Sequence, residues 1–384
     1  MSLSTGFKEL RPAYGFDEVA IVPGAITVNP ELTDVRFSIG QHTFEHPVVA
    51  AALDAVVNPR FAIEASKRGG LAVMNLEGLQ CRHDDAEDAI QEVVNAGQEE
   101  SAAVIQRLTA APIKEELIGR RVREIKEGGA VCAVSCTPAN TKKLAPIAVD
   151  AGADIFVVQS TVTTARHISR SVRGLIFEEL ISNIPVPVVV GNTVGYSATK
   201  ELMETGISGV LVGVGPGAIC TSREVLGVGV PQITATIECA AARDAHYADT
   251  GRYVPIITDG GMRNGGDACK ALVAGADAVM FGTAFARTEE APAKGHAWGM
   301  STGHAALPRG VRIHPGVDTT LDRLLNGPTS RTDGSENFVG AIRTCMGMVG
   351  AQNMREFHEA ELIVAPSIKT EGKIYQMAAA AAAR

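Results

Sequence analysis

Eight short runs of nearly continuous apolar residues recur along the chain: HPVVAAAL (46–53), GLAVMN (70–75), GAVCAVSC (129–136), DIFVVQS (154–160), VPVVVGN (186–192), GVLVGV (209–214), VPIITDGG (254–261) and DAVMFGT (277–283). Strands that read this way are buried on both faces, as parallel strands covered by helices are. Helix-length amphipathic stretches lie between them, among them RFAIEASKR, TKKLAPIAVDAG, SATKELMETG and NGGDACKALVAGA. Three junctions repeat one device. AGADIFVV, TGISGVLV and AGADAVMF each place a glycine (Gly152, Gly206, Gly275) at a helix end just before a strand, where glycine supplies the left-handed cap. An open doubly wound sheet carries a glycine-rich nucleotide motif after its first strand, and DAVVNPR stands there instead. The expected fold is α/β, a (β/α)8 barrel making a single domain over 1–384.

Three stretches exceed what a barrel needs. Residues 1–45 form a lead-in. Residues 77–128 form an enlarged crossover with helical patterns such as DDAEDAIQEVV and IKEELIGRRVREIKE. Residues 297–335 are rich in Gly, Pro and His and read as a mobile flap. One helix is expected over 336–358, and the terminal AAAAAAR as frayed helix or disorder.

Composition narrows the function classes. With 384 residues, 46% of them hydrophobic, the chain can build a large core without disulfides. The net charge is −8 and no basic block occurs, so neither nucleic acid nor a membrane surface is an expected partner. Seven cysteines, an odd and sparse set, suit a reducing cytoplasm. No run approaches 18 apolar residues. The nine histidines make no HExxH spacing, which gives a catalytic zinc no support.

In a barrel, chemistry sits on the loops at the C-terminal ends of the strands. Reading each run to its end collects Ala50 to Asp54, Asn75, Ser135, Cys136, Gln159 to Thr161, Gly191, Asn192, Asp259 to Gly261, Gly282 and Thr283. The most distinctive loop is GVGPGAICTSRE (213–224). Its glycines free the backbone to turn carbonyls onto a cation or amides onto an anion. Cys220 follows the bend, with Arg223 placed to favour a thiolate; the alternative is a buried thiol packed under a helix. In ITDGG, Asp259 can accept from a sugar diol while Gly261 admits a phosphate, or it caps a strand-to-helix turn. Gly282 and Thr283 in MFGT offer a second phosphate cup. Cys132 and Cys136 read as core residues, and Trp298 as either a gap filler or a ligand wall.

GVGPGAICTSRE closely resembles the catalytic-cysteine loop of the IMP dehydrogenases and GMP reductases. The resemblance extends to YGFDEVAIVPG, PVVAAALDAV, GVGVPQIT, the DGG at 259–261, GDACKALVAGADAVMFGT and WGMS, and covers most of residues 14–350. It implies the same barrel fold, a homotetramer and a purine nucleotide substrate. Many family members carry paired regulatory CBS domains between the second and third barrel units; residues 77–128 are too few for them. Carried over by residue, the resemblance implies that Cys220 attacks C2 of the purine with help from Ser222. Hydride then leaves to NAD, and water hydrolyses the thioimidate to xanthosine monophosphate. Asp259 would hold the ribose, and Gly261, Gly282 and Thr283 the phosphate. Gly299, Met300 and Ser301 would meet the base. Gln159, Ser160, Asn192 and Gly213 would lie beside the nicotinamide or substrate. The carbonyls of Gly215, Gly217 and Cys220 would hold potassium.

The departures from the family pattern are specific. Gln159 replaces a usual aspartate, Ala50 a phosphate-side serine and Leu53 a methionine. No Arg-Tyr pair follows WGMS. Arg309, with Arg312 as second choice, is left to activate water. Aligned instead with the reductases, Arg309 stands where they keep a glutamate, and no acidic residue lies between Ser301 and Val317. The expected activity is therefore dehydrogenase, with GMP reductase or a non-catalytic nucleotide-binding role as alternatives.

Overall fold

A computed structural model describes residues 9–168, 174–299, 311–373, 375, 376 and 378. Eight parallel strands close into a barrel, and they are the eight apolar runs. They are β1 (Val48–Ala50), β2 (Leu71–Asn75), β3 (Ala133–Cys136), β4 (Ile155–Gln159), β5 (Val188–Thr193), β6 (Gly209–Val212), β7 (Ile256–Asp259) and β8 (Ala278–Phe281). They pair in chain order, and β8 closes on β1 with Val279 opposite Val48 and Phe281 opposite Ala50. Gly152, Gly206 and Gly275 all take positive φ, between 100° and 109°, at the ends of the preceding helices. The cap each junction was expected to contain is there.

Alternate residues of the strands point inward and outward. Outward ones such as Val134, Phe156, Val190 and Val210 pack under the helices in the main core. Inward ones such as Val49, Val73, Ile155, Val189 and Ile257 fill the barrel together with Phe37, Ile39 and Phe44. Those last three come from an antiparallel hairpin of the lead-in, Phe37–Ile39 with His42–Phe44. The lead-in is thus the floor of the barrel, its rings stacked at 5.1 Å. Upstream, Val19–Ile21 pairs with Leu362–Val364, bringing residues near the two ends of the chain together.

The crossover 77–128 folds into the helices Ala86–Asn95, Ser101–Thr109 and Glu115–Glu127. Of the stretch 297–335, Ala297–Trp298 pairs with Arg312–Ile313 and a helix spans Leu321–Leu325. Residues 300–310 lie outside the described residues. Trp298 is fully buried in a small core with Leu79, Ile90, Val93, Ile105 and Leu108 of the crossover, so it fills space there rather than walling a ligand. The single helix expected over 336–358 is two, Phe338–Val349 and Met354–His358. Gly350 ends the first in the left-handed region at φ +80°, and the Asn353 side chain caps the second by accepting from the Glu356 amide.

Candidate active site

A cavity of about 640 Å³ opens over the C-terminal ends of the strands. Reading strand ends from the sequence identified much of its wall. Asn75, Ser135, Gln159, Ser160, Asn192 and Asp259 line it, with Gly261, Gly282, Thr283 and Gly299. So does the glycine loop from Gly213 through Ser222 apart from Val214. Met300, Ser301 and Arg309 lie outside the described residues.

The loop is shaped by close approach. A Cβ at Gly213, whose φ is +143°, would stand 2.6 Å from the Asp259 carbonyl and 2.7 Å from Gln232 Nε2. Gln232 Nε2 donates to the carbonyls of Val212 (2.8 Å) and Asp259 (3.0 Å), stitching the ends of β6 and β7 beneath the bend. No chemical signature in the sequence points to Gln232; only its place in GVGVPQIT marks it. Arg223 does not serve the thiol as the sequence suggested. Its guanidinium donates to the carbonyls of Val214 (3.3 Å) and Val230 (2.9 Å) and ties the loop shut.

Cys220 is half-buried and lines the cavity, with its thiol donating to Ser222 Oγ at 3.3 Å. The other strand-end thiol, Cys136, is buried beside Thr141, and burial pushes it up to about 12. Cys81, Cys132 and Cys239 are likewise pushed up to about 12 by burial and stay as inert thiols. Among these thiols, Cys220 alone is not fully buried.

Facing the loop, three strand ends converge on one carboxylate. Gln159 Nε2 donates to Asp259 Oδ2 and to Asn192 Oδ1, each at 3.0 Å, and Asn192 Nδ2 donates to Asp259 Oδ2 at 2.9 Å. Burial raises the Asp259 carboxyl to about 6 against the pull of these two amides. Ser160 turns its hydroxyl to the Val162 carbonyl at 2.9 Å. At the ends of β7 and β8, Gly260 and Gly261 have φ of +81° and +82°, and a Cβ at Gly261 would meet Pro216 at 2.9 Å. A Cβ at Gly282 would press on Leu53 at 2.8 Å. Neither position accepts a side chain without movement, so the backbone itself forms the cavity wall at both glycines.

Charged residues outside the strand-end reading also reach the cavity. Glu77, from the crossover, accepts from the Thr137 amide and hydroxyl and from Asn140 Nδ2. Arg82 donates to the Glu77 carbonyl at 2.6 Å, and Arg287 pairs with Asp318. Arg312 points away from the cavity. Its guanidinium donates to the carbonyls of Val93 and Val94 at the end of the helix Ala86–Asn95 and to Gln98 Oε1. That is the favoured place for a cation on a helix, and the geometry gives Arg312 a structural partner instead of a water.

A half-buried cysteine on a glycine bend thus lines one cavity with a carboxylate and the glycines of two strand ends. Residues 13–305 match the model of the IMP dehydrogenase / GMP reductase domain. The chain belongs to the IMP dehydrogenase/GMP reductase family. An uncharacterized oxidoreductase of Mycolicibacterium smegmatis is 39% identical over 363 residues, covering 92% of this chain and 97% of the relative. The inosine-5′-monophosphate dehydrogenase of Methanocaldococcus jannaschii is 26% identical over 482 residues, covering 94% and 95%. Among solved structures, an IMP dehydrogenase/GMP reductase-like protein from Corynebacterium glutamicum superposes with a TM-score of 0.88 at 35% identity, covering 94% of this chain and 97% of that one. The chain is thus an oxidoreductase of this family, and its barrel is the family's fold. Among the described residues no helix is long and apolar enough to cross a membrane.

Proposed function

We propose that this family member is an NAD-dependent IMP dehydrogenase, converting IMP, NAD and water to XMP and NADH through a covalent adduct on Cys220. The observation that carries the reading is the position of Cys220: half-buried in the cavity wall, bonded to Ser222 and carried on the glycine bend. Cys220 Sγ bonds to C2 of the hypoxanthine, and Ser222 assists at that carbon. When bound, the nicotinamide accepts the hydride that leaves C2. Water then adds to the thioimidate, the C2–S bond breaks, and XMP departs with the cysteine restored.

Asp259 accepts from the ribose diol, while the amides at Gly261, Gly282 and Thr283 take the phosphate, without the hydroxyl that a serine in place of Ala50 would bring. Gly299, Met300 and Ser301 receive the base. Glu77, Arg82 and Thr137 line the same cavity as Gln159 and Ser160, and on this reading the cofactor lies along them. The residues fit a nicotinamide ribose through the Gln159 amide, Ser160, Asn192 and Gly213, without the charge an aspartate would bring. Potassium fits the carbonyls of Gly215, Gly217 and Cys220. The bend has no side chain at either glycine, and a Cβ at Gly217 would meet nothing within 4 Å. The ion would order the loop that carries the nucleophile. Arg309 activates the water, and the enzyme works as a cytoplasmic homotetramer.

The absence of any acidic residue between Ser301 and Val317 disfavours the reductase direction, which needs an acid to protonate departing ammonia. The test follows absorbance at 340 nm with IMP plus NAD, and separately with GMP plus NADPH, in potassium buffer. NADH formation from IMP is expected. NADPH oxidation with GMP and no signal from IMP would overturn the assignment.

A further inference from the structure

We infer that Gln159 is a positioning residue for Asp259: its side-chain amide, donated at once to Asp259 and to Asn192, keeps the carboxylate charged and turned toward the bound nucleotide. The inference rests on the assignment of Asp259 to the ribose made above. Three strand ends that are not all neighbours, β4, β5 and β7, are joined at this point by the two amides. Both bonds on the carboxylate reach Oδ2, and no protein donor reaches Oδ1 among the described residues. Oδ1 is therefore the oxygen available to a ligand hydroxyl.

With a neutral amide at position 159, Asp259 has no second carboxylate beside Oδ2. A carboxylate in the place of the Gln159 amide would face Asp259 Oδ2 across about 3.0 Å, and two carboxylates that close share a proton rather than both ionising. Among the described residues no cationic side chain bonds the Asp259 carboxylate, and Arg82 of the cavity donates to the Glu77 carbonyl. The flanking strands β6 and β8 bring no ionisable side chain, and the helix Gln232–Thr250 brings neutral Gln232. Arg263, on the loop after β7, is held by Asp17 and Asp267, Arg287 after β8 by Asp318, and Arg223 by loop carbonyls. The glycine loop contributes Cys220. Burial alone favours the protonated acid, and the two amides oppose it. Gln159 thus serves the substrate side of the site as well as the cofactor side.

The experiment is calorimetric binding of IMP without NAD to the full chain, to Gln159→Leu and to Gln159→Glu, from about pH 5.5 to about pH 8.5 across the range of carboxyl titration expected here. For the wild type, affinity should fall as pH drops through about 6. Losing one amide bond to a buried carboxylate should raise its ionisation pH by about one unit, so Gln159→Leu should bind up to about tenfold more weakly on the acid side and recover at alkaline pH. Gln159→Glu, which keeps the side-chain shape, should shift the acid limb further still. A ligand-free readout runs beside it: the infrared band of the protonated carboxyl that disappears in Asp259→Asn should titrate at higher pH in both variants. Loss of affinity by the same factor at every pH, or an infrared band that does not move, would overturn the inference. If the wild type does not bind IMP, the substrate assignment fails instead, and the infrared titration alone decides whether Gln159 sets the charge on Asp259.

Discussion

Replacing Arg312 with methionine keeps the buried stem and removes the guanidinium from the end of the helix Ala86–Asn95. The Val93 carbonyl, on a buried residue, loses a charge-assisted bond that water cannot replace, at a cost of about 2 kcal/mol. Val94 and Gln98 are partly exposed, so water recovers much of theirs, and together they add about 1 kcal/mol. The sum, about 3 kcal/mol, is a factor of about 10² in a local opening equilibrium. Hydrogen exchange of peptides covering 86–98 and 311–313 should accelerate by about that factor, while strands β4 and β5 keep their protection. Gln98→Ala should reproduce a smaller part, and the double variant should fall short of the sum because both changes remove the same pair. Unchanged exchange at 86–98 together with a 10²–10⁴-fold loss confined to steady-state turnover would refute this reasoning, since that is the size and place of an effect on water activation.

Four further outcomes are expected. Cys220→Ala should abolish turnover and leave nucleotide binding within about twofold, and quenched wild-type enzyme should show a purine adduct on Cys220 by mass spectrometry. Iodoacetamide should modify Cys220 well before Cys81, Cys132, Cys136 or Cys239, with IMP protecting it; equal rates would contradict the burial that separates them. Arg309→Ala should keep a burst of NADH on mixing with IMP and lose steady-state turnover by about 10²–10⁴-fold, whereas a slowed burst would assign Arg309 to holding the nicotinamide. Sedimentation should give a tetramer, and a stable, fully active monomer would sink that expectation.

The barrel was legible because parallel strands covered on both sides must be apolar throughout, and because left-handed helix ends demand glycine at 152, 206 and 275. The strand ends then located the cavity wall before any contact was known. What the sequence withheld was the partnership of side chains. Gln159, Asn192 and Asp259 are up to 100 positions apart, and nothing local says that one amide of Gln159 serves both of the others. Arg223 and Arg312 look like free cations in the sequence, but each is bonded to backbone carbonyls that only the fold brings near. The break at Gly350 was missed because the helical pattern resumes after it, with only a glycine and the Asn353 cap as signals.

The pairing of Val19–Ile21 with Leu362–Val364, and of β1 with β8, also says something about synthesis. β1 lies near residue 50, yet one of its two edges stays bare until Phe281 has left the ribosome. The latch near the two ends waits for Val364. Any part of the sheet that forms before then has an unpaired margin, a feature that invites mispairing with other chains. The hairpin from 37 to 44 is made early, and its Phe37, Ile39 and Phe44 can cover part of that surface long before the circle is complete. Its place ahead of all eight barrel strands suits a built-in escort for them.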